Sequence, residues 1–398
     1  MAESCRGVME IPFNKPLFLP ESLAYVEEAF RSGYTAGGGA FGEACQRFFA
    51  ARFGFENCLL THSCTGALEM AALLADIGPG DEVILPSFTF TSTANAFALR
   101  SADLVFADSR EDSPHLDPRA VEELITPRTK AIVCVHYGGV ACDMDRLCAL
   151  ADRHDLLLIE DAAQAIDSFY KGRPLGTFGD FAALSFHETK NIHCGEGGLL
   201  VVRDMPLFRR AEILWEKGTN RAAFHRGETD KYTWMDLGSS FLASDITAAC
   251  LLAQLEAIDT IQARRVAHWN SYLERLGPLA GRHGFQLPVI PPGATGNGHI
   301  FHVVFHHSAQ RDYILRELRV RGIHAVFHYR ALHESPFFQD RHRGGELPQA
   351  SRYERCLVRL PLFYDMQASD IESVCRALEE IVEERGFPAS GSRSDGAA

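Results

Sequence analysis

Apolar and polar positions fall into two regimes along the chain. Between residues 58 and 159, short continuous apolar runs recur at 58–61, 82–85, 104–107, 131–135 and 156–159. Stretches with helical spacing lie between them, at 65–77, 91–101, 117–125 and 145–154. Unbroken apolar runs mark strands covered on both faces. Their alternation with helices predicts an α/β fold with a mostly parallel sheet. The runs 181–186 and 198–202 predict two further strands. Upstream, helices are expected at 20–32, stopped by Gly33, and at 40–53, with Phe41, Cys45, Phe48, Phe49 and Phe53 on one side.

The second regime begins near residue 206. A helix is expected over 206–217, and 218–240 is polar and aromatic without a clear period. The stretch 244–276 contains no Gly or Pro and carries an apolar stripe through Leu251, Leu255, Ile258 and Ile261, which predicts one long helix ending before Gly277-Pro278. A strand over 300–306, a helix over 309–321, a strand over 323–329 and a last helix over 369–385 complete the pattern. Ser369 is the expected N-cap of that last helix, with Ile371, Val374, Cys375, Leu378 and Ile381 on its buried face. The organisation expected is a large α/β domain over 11–250, a small C-terminal α+β domain over 251–386 reached by the long helix, and disordered tails at 1–10 and 387–398.

Composition narrows the function classes. The net charge of −13 speaks against a general nucleic-acid surface, yet local cations and helix N-termini can still hold an anionic small ligand. No run approaches the roughly 18 apolar residues of a membrane span, and the opening MAESCRGVMEIPF has no apolar signal region. Eleven cysteines without a C-x-x-C pair read as reduced thiols of a cytoplasmic protein.

The candidate chemistry centres on Ser185-Phe186-His187-Glu188-Thr189-Lys190-Asn191, which follows one expected strand and precedes the glycine-rich CGEGG. Upstream, the run 156–159 delivers Glu160 and Asp161 at its C-terminal end, where open α/β sheets bind ligands. An acid at a strand end and a lysine on a later loop are what a pyridoxal phosphate (PLP) enzyme needs: the lysine carries the cofactor and the acid pairs with the ring nitrogen. THSCTGALEM, residues 61–70, reads either as a phosphate-binding strand-to-helix turn or as a helix capped by Thr65. Phe90, at the apex of PSFTFTSTANA, could stack on an aromatic ring or belong to the core. Three other patterns read as decoys. The glycines of GGGAFG, 37–42, follow a helix rather than a strand, so they make no dinucleotide fingerprint. HETKNIH has Asn191 where a zinc protease needs its second histidine. His299, His302, His306 and His307 read as one polar strand face, and no metal site is expected.

SFHETKN, EDAAQA, SCTGALEMA and PSFTFTSTANAF together resemble the DegT/StrS family of PLP-dependent sugar aminotransferases. The likeness extends to HYGGVACDMD (136–145), EKGTNRAAFHRGETDKYTWMDLGSS (216–240) and AVFHYRALH (325–333), and spans about residues 11 to 385. It implies the aspartate-aminotransferase-like fold (PLP fold type I) and a homodimer with shared active sites. It casts Lys190 and Asp161 as catalytic. Thr65, Gly66 and Ser185 would hold the phosphate, Phe90 would stack on the ring, Gln164 would contact the ring oxygen, and His187 would lie near the ring. Many family members reach the neighbouring subunit's phosphate with an Asn, where this chain has Ser240. Within the family, the similarity is strongest to the branch that moves an amino group from L-glutamate to the C4 ketone of a TDP-linked 4-keto-6-deoxyglucose, giving the 4-amino-4,6-dideoxygalactose. Lys217, Asn220, Arg221, Arg226, Lys231, His328 and Tyr329 are the expected substrate contacts. Alternatives are another keto-sugar nucleotide, with a C3 ketone or a UDP group, and a non-catalytic regulator. A dehydratase branch that carries His at the lysine position is disfavoured by Lys190.

Overall fold

A computed structural model describes residues 10–385. The expected tails fall outside these residues except for Glu10, whose carboxylate lies 2.9 Å from His324 Nε2. The centre is a seven-stranded sheet. Its strands are β1 (Cys58–Thr61), β2 (Glu82–Pro86), β3 (Asp103–Ala107), β4 (Thr129–Val135), β5 (Leu157–Asp161), β6 (Phe181–Ser185) and β7 (Gly198–Val202). They lie in the order β1-β7-β6-β5-β4-β2-β3. Only β7 runs antiparallel, paired with both β1 and β6; the remaining pairs are parallel. The C-terminal ends of β1, β2, β5 and β6 therefore share one rim. Most positions of these strands are buried, because helices cover both faces.

The helices Pro20–Arg31 and Ala40–Phe53 pack on Asp245–Glu256. The glycine loop at 37–42 serves this contact: Asp245 accepts hydrogen bonds from the amides of Gly42 (2.8 Å) and Phe41 (3.4 Å). A Cβ on Gly39 would stand 2.4 Å from the Asp245 carboxylate. The loop is thus a helix cap built across the fold.

The C-terminal region departs from expectation in several places. The long helix is two, Asp245–Glu256 and Ile258–His283, broken at Ala257 (φ −93°, ψ 4°). The bend lets the first half face the N-terminal helices while the second packs on Ala368–Arg385. Pro278 does not end the second helix. Leu276 and Leu279 are both buried in the C-terminal core, and that burial offsets the hydrogen bond lost at proline. No strand forms over 323–329; only single bridges occur, Ile11 with Ile323 and Val326 with Arg359. The partner of β8 (Phe301–Val304) is instead β9 (Leu357–Leu360), preceded by the helix Pro348–Cys356. Ser369 lies inside its helix, and Gln367 N donates to Asp370 at 2.8 Å. The expected polar histidine face is absent: β8 is buried throughout, His302 included. The ten described cysteines are free. No helix among the described residues is long and apolar enough to cross a membrane.

Candidate active site

The rim formed by the ends of β1, β2, β5 and β6 gathers the candidate residues. Strand β5 ends on Glu160 and Asp161, whose side chains face opposite ways. Glu160 points away from the rim. It accepts hydrogen bonds from the amides of Gly176 (2.8 Å), Phe178 and Gly179 (both 2.7 Å) and lies 2.9 Å from His136 Nε2. Burial pushes the Glu160 carboxyl up, and His136 with these amides pulls it to a net position below the usual range. Burial works against the His136 cation, but Cys142 and Glu160 raise its pKa to about 10. Cys134, His136 and Cys142 place their ligating atoms within 4.8 Å of one another in this network. Cys142 Sγ sits 3.1 Å from the Val135 carbonyl.

Asp161 points into the rim. Its carboxylate accepts from Thr93 Oγ1 at 2.7 Å and from the amide of Ala163 at 3.1 Å. Burial raises its pKa, while both hydrogen bonds and the charges of Lys190 and His136 oppose the rise. Thr93 was not singled out in the sequence. Its only trace there was a hydroxyl residue three positions beyond Phe90 that proves fully buried, and a buried hydroxyl needs a partner.

The lysine loop is fastened from several sides. Glu188 N bonds to Gly195 O (2.8 Å), and Lys190 N to His187 O (2.8 Å). Asn191, the residue that spoiled the zinc motif, is buried. Its amide donates to Gln262 Oε1 (2.9 Å) and the Asn297 carbonyl (2.8 Å), and its Oδ1 lies 2.8 Å from His299 Nδ1. Asn297 in turn donates to the carbonyls of Gln164 and Ile166. One asparagine pair from distant chain segments thus ties the lysine loop to the Asp161 loop. Part of Lys190 is open to the cleft, but its amine lies among protein atoms. Burial lowers its pKa to about 8, against the opposing pull of Cys64 and Asp161.

At the end of β1, the helix Cys64–Leu74 begins. Its cap is Ser63, not Thr65: Ser63 Oγ accepts from Gly66 N at 3.0 Å. The Thr65 hydroxyl donates to Ser92 Oγ at 2.8 Å. First-turn amides such as those of Cys64 and Thr65 have no intrahelical acceptor, so the turn can hold an anion. Gly198 stands between this turn and Ser185, its register partner; a Cβ there would meet Ser63 and Cys64 at 2.4 Å. Gly66 lies against His62. Ser185 is buried at the end of β6.

Phe90 is 57% exposed, so its ring belongs to the cleft rather than the core. Its ring neighbour is Tyr329, centroids 6.0 Å apart. Gln164 accepts from Gly138 N (2.6 Å) and donates to the Tyr329 hydroxyl (2.9 Å). His328 Nδ1 lies 2.9 Å from the Tyr137 hydroxyl; burial first, then Arg359 and Lys190, hold its pKa well below the usual range. His187 is tied to its own loop, with Nδ1 2.9 Å from Thr189 Oγ1 and Nε2 3.6 Å from Glu196.

The segment 217–240 is a different matter. Lys217 and Arg221 both face the buried Glu216, at 3.1 and 3.9 Å. Arg226 is engaged by Glu212 (2.5 and 2.9 Å) and Glu228 (2.8 Å), so its charge is already compensated within the chain. Asn220 accepts from Thr233 N and shapes the loop. Lys231 and Ser240 are exposed, and Ser240 makes a backbone bridge with Glu216. A separate cavity of 730 Å³, lined by His306, His307, His333, His342, Arg352 and Arg355 among others, contains none of the cofactor candidates.

These positions fit PLP. The capped turn suits its phosphate, the buried Asp161 its ring nitrogen, and the Lys190 amine its aldehyde. The DegT/DnrJ/EryC1/StrS aminotransferase family model matches residues 19–379. The chain belongs to this family. The spore coat polysaccharide biosynthesis protein SpsC of Bacillus subtilis (strain 168) is 33% identical over 388 residues, 94% of this chain and 97% of that protein. Among solved structures, the aminotransferase TlmJ from Streptoalloteichus hindustanus superposes with a TM-score of 0.87 at 30% identity, covering 95% of this chain and all of TlmJ. DesV from S. venezuelae gives 0.84 at 33% identity, covering 94% and 99%. The fold is accordingly PLP fold type I. Family membership makes the chain a PLP-dependent sugar aminotransferase.

Proposed function

We propose that the enzyme moves an amino group from L-glutamate to the C4 ketone of TDP-4-keto-6-deoxyglucose, giving TDP-4-amino-4,6-dideoxygalactose and 2-oxoglutarate. The observation that carries amino transfer is the pairing of a buried, hydrogen-bonded Asp161 with a lysine whose pKa burial lowers to about 8. The motifs of the TDP-sugar branch, HYGGVACDMD and AVFHYRALH, support the choice of sugar. SpsC is itself named for polysaccharide biosynthesis.

Bound PLP supplies a carbonyl for the incoming amine and a ring that draws electrons from the adjacent carbon. The protein's part is positioning and proton handling. The Ser63–Gly66 turn and Ser185 bind the phosphate. Asp161, kept ionised by Thr93 and the Ala163 amide, favours a protonated ring nitrogen. Phe90 offers a ring face. Lys190 holds the resting cofactor and, when released, its amine takes and returns a proton near neutral pH, as a general base and acid must. Covalent chemistry of this type predicts ping-pong kinetics.

A homodimer with shared sites accompanies this reading. Trp234 is 77% exposed, and Tyr232, Met235 and Leu237 beside it are also exposed. An apolar group of this kind calls for cover by another surface. Lys217, Arg221 and Lys231 lie in the same segment and would serve the diphosphate.

The test is purified enzyme with L-glutamate and a panel of TDP- and UDP-linked 3- and 4-keto sugars, with the amine identified by mass and NMR. Amination of the TDP-linked 4-ketone to the galacto product is the expected result. Turnover confined to UDP-linked sugars or 3-ketones overturns the assignment.

A further inference from the structure

The side of β4 and β5 turned away from the rim carries a cluster that amino transfer does not use. Residues two apart on a strand share a face, so Cys134 on β4 and His136 just past its end point the same way. Cys134 is the register partner of Glu160 on β5. The Glu160 carboxylate lies 2.9 Å from His136 Nε2. After the tight turn Tyr137–Gly139, the chain brings Cys142 back to the same spot. Its amide lies 3.3 Å from His136 Nδ1 and its sulfur 3.1 Å from the Val135 carbonyl. The ligating atoms of Cys134, His136 and Cys142 all fall within 4.8 Å of one another. Cys134, His136 and Glu160 are 0% exposed and Cys142 is 2% exposed, so the set is closed to bulk water. The spacing Cys-x-His-x5-Cys carries no C-x-x-C signature; the fold, not the motif, assembles the cluster.

Two cysteine sulfurs and one imidazole nitrogen are the donors that select a thiophilic cation. The imidazole is already oriented for one. A carboxylate on Nε2 fixes the N–H on that side and leaves the Nδ1 lone pair facing the sulfurs, as in metal sites where an outer carboxylate orients a histidine ligand. Glu160 is itself held by the amides of Gly176, Phe178 and Gly179, which makes it the outer partner rather than a ligand. The long contact from the Cys142 amide is what a cation would replace at Nδ1. Zinc–sulfur bonds of about 2.3 Å and zinc–nitrogen bonds of about 2.0 Å put tetrahedral ligand atoms about 3.4–3.8 Å apart. The present limit of 4.8 Å therefore calls for a contraction of at most about 1.4 Å. The Val135 carbonyl, beside Cys142 Sγ, is the oxygen at hand for a fourth position.

We propose that Cys134, His136 and Cys142 form a structural site for one zinc ion. Binding displaces the thiol protons and any second imidazole proton, which pass to water, so affinity rises with pH. The site lies behind the cofactor rim and is tied to it through the backbone. His136 N donates to the Asp161 carbonyl at 3.2 Å. Gly138 N donates to Gln164 Oε1 at 2.6 Å, and the Gly139 carbonyl accepts from Ser168 Oγ at 2.6 Å. An ion that joins His136 to Cys142 pins both ends of the turn that holds Gln164.

The test is elemental analysis of tag-free holoenzyme, produced with zinc in the medium and dialysed to constant metal content. About one zinc per chain is expected. Protein produced with cobalt in place of zinc should show thiolate-to-cobalt charge-transfer absorption and the visible bands of tetrahedral cobalt. Cys134→Ala and Cys142→Ala should each reduce bound zinc to less than about a tenth, because each removes one of three ligands. Cys375→Ala, buried in the C-terminal core, should keep it. Far-UV circular dichroism and the cofactor absorbance band establish that each variant is folded. If the cysteine variants do not fold, the wild-type cobalt spectrum decides alone, and absence of thiolate bands overturns the proposal. A zinc-free wild type, copper in place of zinc, or a Cys134–Cys142 disulfide in the mapped native protein also overturns it. So does zinc that survives both cysteine substitutions, which would put the ion elsewhere, as among the histidines of the 730 Å³ cavity.

Discussion

Replacing Thr93 by valine removes one hydroxyl from the candidate site and keeps its shape. The Thr93 hydroxyl donates to Asp161 at 2.7 Å, and the only other donor to that carboxylate among the described residues is the Ala163 amide at 3.1 Å. Hydrogen bonds to charged groups contribute about 1.5–3 kcal/mol. Losing this one should move the Asp161 carboxyl further up. Burial already raises it, so the shift adds to an existing trend. A carboxyl that protonates more readily holds the ring nitrogen's proton less well. The glutamate half-reaction should slow by about 10- to 150-fold, the same energy expressed as a rate. The assay is rapid-mixing absorbance across pH. Asp161 acts ionised, so a raised pKa makes activity fail at higher pH as acid is added, and the acid limb of the profile should move to higher pH. A Thr93→Val enzyme within about twofold of wild type, far less than one such bond contributes, and with an unmoved acid limb, would refute the role given to Asp161.

Two further predictions concern the lysine loop. Burial sets the Lys190 amine near 8 rather than its ordinary 10.5, so the folded apoenzyme sheds this proton before the unfolded chain does. The penalty of burying the ammonium is complete below about pH 8 and fades as pH rises toward 10.5; the stability advantage of Lys190→Met over wild-type apoenzyme, read by chemical denaturation, should shrink across that window. Asn191→Ala leaves Gln262, the Asn297 carbonyl and His299 without their buried partner. It should cost about 2–4 kcal/mol and speed loss of bound PLP on dialysis, both measurable beside Asn191→Asp.

The large sheet was legible because its strands are covered on both faces, so the runs at 58–61, 82–85 and 131–135 stand out against the helices between them. The C-terminal region was less so. Ala257 breaks a helix whose local propensity is unbroken, and Pro278 fails to break one whose leucines are buried on either side; in both cases tertiary packing overrides the local signal. Strand β9 is four residues long, and its pairing with β8 is set by a contact more than fifty residues away. The same range limit governs the site. Lys190 and Asp161 sit in stretches with local character, a strand end and a glycine-flanked loop. Thr93 reaches Asp161 across 68 residues, and Asn191 reaches Asn297 across 106. Asn191, read only as a disqualified metal ligand, proves to be the fastening of the loop it spoiled.

The most direct measurement is the site of covalent attachment. Holoenzyme is reduced with borohydride, digested and mapped by mass spectrometry, beside Lys190→Ala treated in the same way. The account predicts one pyridoxyl-phosphate label, on the peptide carrying Lys190, and none in the variant. A label on any other lysine of the wild type, or a reducible adduct that persists in Lys190→Ala, would contradict it.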